Sequence, residues 1–279
     1  MLKKIMLMFV YIPFVFSQTK VKLDSLYSSS LSKYEKISII LPQDYNKGNK
    51  YPVIYLLHGL YASMNEWLNQ TNIKEYAERF PFIFVMPNAD DSWYVNSFND
   101  TTKQYDSYIT KDLYNYISKN YSVDLNYEAL VGYSMGGYGS LILGLRNPTH
   151  YWFIGAMSAS LDIPEHIKDL KKYNRDWLAP TLNEAFGNAT KKFLDSYDPF
   201  ILYKSVKPED LPYIYLVTGI DESFKERILF HRAFSDSLRV YGAKYEYHET
   251  LGKHSYKFWN REVIQILNRM KQLLDQKVE

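Results

Sequence analysis

The sequence contains no cysteine among its 279 residues. This absence excludes disulfide bridges, thiolate zinc sites, iron–sulfur clusters and a cysteine nucleophile. Net charge is also small, because 33 basic residues are balanced by 31 acidic ones. No basic stripe stands out either, so a nucleic-acid partner is not expected. An H-E-x-x-H motif, a cluster with metal-ligand spacing, a phosphate loop and a dinucleotide fingerprint are all missing. We therefore expect neither a metal nor a cofactor.

The remaining composition is that of an ordinary globular protein, with 46% hydrophobic and 23% charged residues. Aromatic residues are frequent at 17%, and 27 of them are tyrosines. They are consistent with core packing and also with a cleft that binds a carbohydrate or an aryl group. Composition does not choose between these two interpretations.

The first seventeen residues have the pattern of a secretory signal peptide. Lys3 and Lys4 form a basic start, and Ile5–Phe16 is an apolar run too short for a comfortable membrane span. A cleavage site is plausible before Gln18. We expect a signal peptide at 1–17, one mature domain at 18–279, and a secreted or periplasmic protein without stable membrane insertion. An uncleaved amphipathic or membrane anchor is the alternative.

Apolar runs and helical patterns alternate along the rest of the chain. The predicted strands are Lys36–Leu41, Val53–Leu57, Phe82–Met86, Ala129–Tyr133, Phe153–Met157, Ile214–Thr218 and Lys244–Thr250. The predicted helices are Tyr105–Asn120, Met135–Arg146, Ser223–Tyr241 and a C-terminal helix with Trp259 to Leu274 on its apolar face. This alternation predicts an α/β fold with a mostly parallel sheet. The irregular segment Asp162–Asp210 is interpreted as an insertion packed over the sheet.

A G-x-S-x-G motif centred on Ser134 follows one predicted strand and opens the next predicted helix. That context is the one a nucleophile elbow requires. Gly132 and Gly136 would relieve the crowding that side chains would cause around such a sharp turn. Ser134 is therefore the predicted nucleophile. A tight turn in which a serine caps the helix is the structural alternative, because it is compatible with the same sequence pattern.

A serine hydroxyl needs a base to become a nucleophile at neutral pH. His254 follows the last predicted strand, where parallel sheets of this kind carry their catalytic groups. The usual chain order of serine, acid and histidine also favours it over the other five histidines. His58 lies at the end of an earlier strand and is interpreted as structural.

The third member of the predicted triad is Asp221. It is the first carboxylate after the strand Ile214–Thr218, and it would orient the imidazole of His254. Glu222 is the near competitor and Asp198 a distant one. Helix capping is the structural alternative for Asp221. The predicted oxyanion donors are the backbone N–H groups of Leu60 and Met135.

Taken together, four segments resemble the esterase D-like branch of the α/β-hydrolases. They are Leu57–Leu60, Gly132–Gly139, Gly219–Asp221 and Gly252–His254. This branch includes feruloyl, acetyl-xylan and tributyrin esterases, S-formylglutathione hydrolases and secreted mycolyltransferases. The resemblance implies a mostly parallel central sheet, helices on both faces and a helical insertion after the sixth strand. One departure is Lys253, which stands where the family commonly has glycine.

The resemblance also extends to the loop Pro87–Tyr94, which looks like the family loop that borders the acyl and alcohol pockets. Trp93, Tyr94 and Trp67 are candidates for the pocket wall, with core or surface packing as the equal alternative.

These residues predict an exported serine carboxylesterase that acts through an acyl-enzyme. The expected partner is a small-molecule or polysaccharide-linked ester, such as a feruloyl, acetyl or short-chain acyl ester. An acyltransferase with the same triad and a non-catalytic binding protein on the hydrolase scaffold stay open. The sequence predicts no oligomeric state.

Overall fold

One eight-stranded sheet runs through the computed structural model, which describes residues 20–163, 167, 170 and 175–278. The predicted signal peptide at 1–17 lies outside these residues. The strands are β1 (Val21–Ser28), β2 (Lys33–Ile40), β3 (Tyr51–Leu57), β4 (Ile83–Pro87), β5 (Val123–Tyr133), β6 (Tyr151–Met157), β7 (Tyr213–Gly219) and β8 (Tyr245–Thr250). Their spatial order is β1-β2-β4-β3-β5-β6-β7-β8. Pairings from β4 to β8 are all parallel, whereas β1 and β2 add an antiparallel edge.

The helices are α1 (Glu66–Gln70), α2 (Ile73–Ala77), α3 (Tyr105–Ser107), α4 (Tyr114–Asn120), α5 (Met135–Arg146), α6 (Ala179–Ala185), α7 (Lys191–Asp195), α8 (Pro199–Leu202), α9 (Lys225–Tyr241) and α10 (Tyr256–Val278). A π-helical turn at Tyr108–Leu113 joins α3 to α4. Short 3₁₀ turns occur at Asp176–Leu178, Tyr203–Ser205 and Pro208–Asp210. None of the helices within the described residues has the length and apolar character needed to cross a membrane.

Two apolar cores cover the two faces of the sheet. Alternate residues of one strand serve both, because Leu57 lies in one core and Leu56 in the other. Helices α5 and α9 pack on the first face, and α1, α2 and α10 pack on the second. The insertion after β6 joins the first core through Leu182 and Leu202. The α/β-hydrolase fold with an insertion packed over the sheet is therefore confirmed.

The parallel strands all end at the same edge of the sheet, and the predicted functional segments follow four of them. Leu60 comes after β3, Ser134 after β5, Glu222 after β7 and His254 after β8. Ligands of open α/β sheets bind at this edge. The fold thus brings together residues that are up to 194 positions apart in the sequence, from 60 to 254.

Candidate active site

Ser134 occupies the sharp turn between β5 and α5. Its φ of 55° and ψ of −118° are an unfavourable combination for a residue with a side chain. The turn is held by the Ser134 N–H, which donates to the Met157 carbonyl at 2.9 Å, and by the Ser134 carbonyl, which accepts from Tyr138 at 3.0 Å. Backbone strain that the surrounding structure enforces is typical of functional sites. The half-buried side chain of Ser134 is thereby presented at the sheet edge.

Both predicted elbow glycines are required by close backbone approach. A Cβ on Gly132 would lie less than 3.0 Å from the carbonyl oxygen of Gly136. A Cβ on Gly136 would meet the carbonyl oxygens of Leu57 and His58 equally closely. Because neither contact is sterically possible, glycine at 132 allows the tight turn from β5 into α5, and glycine at 136 allows the start of α5 to lie against the end of β3.

A hydrogen-bonded relay runs from Ser134 through His254 to Glu222. Ser134 Oγ lies 2.9 Å from His254 Nε2, and His254 Nδ1 lies 3.0 Å from Glu222 Oε2. An ionised carboxylate can only accept hydrogen bonds, so Nδ1 must carry the proton. Nε2 is then free to accept the proton of the serine hydroxyl. This tautomer is the one that a general base at Ser134 requires.

The acid of the relay is Glu222, and the prediction of Asp221 is wrong about which side chain lies next to His254. Asp221 is exposed, and its backbone N–H donates to the Gly252 carbonyl at 3.0 Å. This turn points the Asp221 side chain outward and the next side chain inward, where Glu222 is buried. Asp198, the distant candidate, instead caps α8 by accepting from the Phe200 N–H at 2.9 Å.

A buried arginine, Arg227 in the first turn of α9, completes the polar cluster. Its Nη1 donates to Glu222 Oε2 at 2.7 Å and lies 3.1 Å from His254 Nδ1. The backbone of this turn is fixed by His231, whose Nδ1–H donates to the Arg227 carbonyl at 2.8 Å. The His231 Nε2 accepts from the Ala159 N–H at 3.2 Å. Arg227 was not among the predicted site residues; it lies within the predicted helix Ser223–Tyr241, where no motif marks it.

The charges of this cluster act on both titratable members of the relay. Burial alone would raise the pKa of the Glu222 carboxyl, but the hydrogen bond from His254 and the charge of Arg227 lower it to about 2. Burial lowers the pKa of His254, and the positive charges of Arg227 and Arg175 lower it further, against the opposite pull of Glu222. Near neutral pH the carboxylate is therefore ionised and the imidazole is neutral.

The two predicted oxyanion donors border Ser134. Met135 is the first residue of α5, where backbone N–H groups have no partner within the helix. The loop that carries Leu60 runs alongside the nucleophile, since a Cβ on Gly59 would lie 3.5 Å from the Cβ of Ser134. Both segments therefore lie beside Ser134, and their N–H groups stay the predicted donors to an oxyanion.

His58 is a structural residue that fixes this loop, in agreement with its interpretation from the sequence. It is fully buried, with Nδ1 at 2.8 Å from the Gly59 carbonyl and Nε2 accepting from the Ala89 N–H at 3.0 Å. Burial lowers its pKa, which keeps the ring neutral. The Tyr94 hydroxyl donates to the His58 carbonyl at 3.0 Å.

Trp93, Tyr94 and Trp67 do not form an accessible pocket wall, because all three are buried. Tyr94 supports the loop at His58, and Trp93 Nε1 donates to Thr181 Oγ1 at 3.1 Å in the insertion. Trp67 packs edge-on against Tyr133, with ring centroids 5.1 Å apart. The structural alternative is therefore the right one for these side chains: they hold the scaffold behind the site.

These features define the class of protein: the fold and the Ser–His–Glu relay are those of a serine hydrolase with the α/β-hydrolase fold. The family described as "Putative esterase" matches residues 28–270. The chain belongs to this family, within the esterase D-like branch of the α/β-hydrolases, and it is a carboxylic ester hydrolase.

Three known proteins illustrate the similarity. An acetyl esterase of Caldicellulosiruptor saccharolyticus is 24% identical over 264 residues, which cover 90% of this chain and 98% of the relative. The solved structure of the fluorophosphonate-binding serine hydrolase FphF of Staphylococcus aureus has a TM-score of 0.77 at 22% identity, covering 91% of this chain and 99% of its own. A ferulic acid esterase structure has a TM-score of 0.73 at 24% identity, with coverage of 91% and 99%.

Proposed function

We propose that this protein is an exported carboxylesterase that hydrolyses acetyl, feruloyl or other short acyl esters carried by polysaccharides or small molecules. The observation that carries the chemistry is the continuous relay from Ser134 Oγ to His254 Nε2 and from Nδ1 to Glu222. The similarity to an acetyl esterase and to a ferulic acid esterase supports the substrate class.

In the first half-reaction, Ser134 Oγ attacks the ester carbonyl carbon and its proton passes to His254 Nε2. The oxyanion accepts hydrogen bonds from the Leu60 and Met135 N–H groups. Glu222 holds the imidazolium, and Arg227 holds Glu222. The carbon–oxygen bond to the alcohol then breaks, and the leaving oxygen takes the proton from His254.

In the second half-reaction, water gives a proton to His254 and attacks the acyl-enzyme. Collapse of the second tetrahedral intermediate releases the carboxylic acid and returns the proton to Ser134. Because every proton moves between Nε2 and a reacting oxygen, the neutral imidazole is the active form. Its lowered pKa keeps that form populated in weakly acidic solution.

The test is kcat/KM on 4-nitrophenyl acetate, 4-nitrophenyl butyrate and methyl ferulate, with Ser134→Ala as the blank. We expect turnover that vanishes in the variant, and the order of the three esters reports the acyl preference. Turnover retained by Ser134→Ala would refute the assigned nucleophile. Absence of turnover, with no labelling of Ser134 by a fluorophosphonate, would favour a binding protein.

Export from the cell rests on the signal-like pattern at 1–17, and the mature unit is proposed to be the single domain 18–279. Expression of the full-length gene followed by N-terminal sequencing tests both. Protein recovered outside the cytoplasm with Gln18 first is the expected result, and a cytoplasmic protein that keeps Met1 would contradict it.

A further inference from the structure

Two large aromatic side chains remain exposed at the active-site edge, in contrast to the buried aromatics of the scaffold. Tyr61 is 63% exposed and Trp177 is 50% exposed. Their ring centroids are 6.4 Å apart with an interplanar angle of 44°. We call this pair the Tyr61–Trp177 platform. A second exposed pair, Tyr27 and Tyr34, lies on the β1–β2 edge with ring centroids 5.3 Å apart, so the Tyr61–Trp177 platform is distinguished by its place on the active-site loop and not by exposure alone.

The platform is held in place by polar contacts on both sides. The Tyr61 N–H donates to Asp91 Oδ1 at 2.7 Å, and its hydroxyl donates to the Trp177 carbonyl at 3.4 Å. The backbone of Tyr61 has a φ of 57°, in the left-handed region that tyrosine adopts at a cost. The loop therefore holds the backbone of Tyr61 in a conformation that it adopts only where its surroundings enforce it.

The position of the platform follows from the chain. Tyr61 directly follows Leu60 and is two residues from Gly59, so the Cα atoms of Tyr61 and Gly59 are at most about 7 Å apart. A Cβ on Gly59 would lie 3.5 Å from the Cβ of Ser134. The Cα of Tyr61 is therefore at most about 12 Å from the Cβ of Ser134, on the loop that also carries the predicted oxyanion donor Leu60.

We propose that the Tyr61–Trp177 platform binds the sugar ring that carries the ester, on the alcohol side of the scissile bond. This inference rests on the proposed function. An alkyl or aryl group gains the most binding free energy in a pocket that encloses it on every side, whereas this platform is open to solvent. A pyranose has one apolar C–H face for the rings and hydroxyl groups at its edges. The carboxylate of Asp91, which accepts from the backbone N–H of Tyr61, and that of Asp176, the residue before Trp177 in the sequence, are the nearest named acceptors for those hydroxyls.

The experiment compares two acetyl esters of secondary alcohols, with and without a sugar. Acetate release is measured from acetylated xylo-oligosaccharides and from isopropyl acetate, and the ratio of the two kcat/KM values is the readout. We expect Trp177→Ala and Tyr61→Ala each to lower this ratio about tenfold, because each removes one aromatic contact made only by the sugar ester. Tyr61→Phe keeps the ring and should keep most of the ratio.

Tyr34→Ala is the matched control, because Tyr34 is 74% exposed but lies on the β1–β2 edge of the sheet. It should leave the ratio unchanged. An unchanged ratio in both platform variants, or isopropyl acetate turnover by the unmodified protein without any turnover of the sugar ester, would overturn the platform. Failure of the unmodified protein on both esters and on 4-nitrophenyl acetate would instead overturn the proposed function.

Discussion

Glu222 and Asp221 are adjacent in the chain, but only Glu222 reaches His254. We therefore predict that Glu222→Gln lowers kcat about a thousandfold, because the neutral amide no longer stabilises the imidazolium and can stabilise the wrong tautomer. Asp221→Asn should change kcat less than about twofold, since its side chain is exposed. Steady-state kinetics on 4-nitrophenyl acetate measure both. The reverse order of effects would restore Asp221 as the acid.

Arg227 is predicted to set the lower pH limit of activity. The active imidazole is neutral, so kcat/KM falls as the pH drops through the pKa of His254. Burial lowers that pKa and the charge of Arg227 lowers it further, so Arg227→Met should move the acid limb of the pH profile upward. Arg227→Lys keeps the positive charge, so the acid limb of its pH profile should lie closer to that of the unmodified protein.

The control for this prediction is Arg232→Met on the same helix, because Arg232 is exposed and paired with Glu249 away from the relay. Its acid limb should coincide with that of the unmodified protein. If Arg227→Met reduces activity by the same factor at every pH, Arg227 has only a structural role.

At the residue scale, the motif and the chain order predicted Ser134 as the nucleophile and His254 as the base, and the structure places their side chains 2.9 Å apart. The carboxylate beside His254 was not predicted. The acid depends on how the chain turns after β7, where the Ile220 and Asp221 N–H groups bond to the Thr250 and Gly252 carbonyls. A turn by one residue exchanges which of two neighbouring carboxylates faces inward. No pattern in a single sequence reports that rotation.

The β5–α5 elbow positions Ser134, and its close backbone packing leads to a testable prediction. Gly136→Ala should lower the melting temperature by several degrees and abolish most activity, because the added methyl would meet the carbonyl oxygens of Leu57 and His58. Overpacking of this kind costs about 1–3 kcal/mol. Differential scanning calorimetry and esterase assays give the two readouts.

Gly48→Ala is the matched control, because the nearest atoms to its new Cβ would be those of Asn46, at 3.4 Å or more. Both its melting temperature and its activity should remain close to those of the unmodified protein. Equal effects of the two substitutions would show that the elbow does not depend on close backbone approach.

At the element scale, buried elements were predictable and exposed or irregular ones were not. The apolar runs of β3, β4 and β6 have too few polar residues to be anything but buried strands. Strand β1 was missed because six of its eight residues are not buried and its sequence, VKLDSLYS, has no continuous apolar run. The predicted helix Tyr105–Asn120 exists, but the π-helical turn at Tyr108–Leu113 has no simple sequence signature.

At the scale of the whole molecule, the fold topology determines which distant segments of the chain lie close together. Tyr61 and Trp177 are 116 residues apart, and neither was predicted as a site residue. The predicted pocket residues were instead Trp93 and Tyr94, in the loop that resembles the family loop, and Trp67. The position of a residue near a motif in the sequence does not reveal on which side of a loop its ring lies. The rings of these three residues face inward. The pairing of Tyr61 with Trp177 depends on where the fold places the insertion relative to the oxyanion loop, and the sequence does not show this.

The stability of the whole molecule should depend on pH through Glu128, a carboxyl buried in β5. Its Oε1 accepts a hydrogen bond from the Tyr55 hydroxyl at 2.9 Å, and no partner among the described residues reaches Oε2. Burial raises its pKa to about 8 from an ordinary 4.5. Between these two values the folded protein holds a proton that the unfolded chain releases, so stability falls as the pH rises from 4.5 to about 8.

Glu128→Gln removes this titration while it keeps the shape of the side chain and an acceptor for Tyr55. We expect the melting temperature of the unmodified protein to fall by about 5 °C relative to that of the variant as the pH rises from 5 to 8.5. Glu209→Gln, at an exposed carboxyl, is the control and should follow the unmodified protein at every pH. Parallel curves for Glu128→Gln and the unmodified protein would mean that Glu128 is ionised in the folded state, with a cation or water compensating its charge.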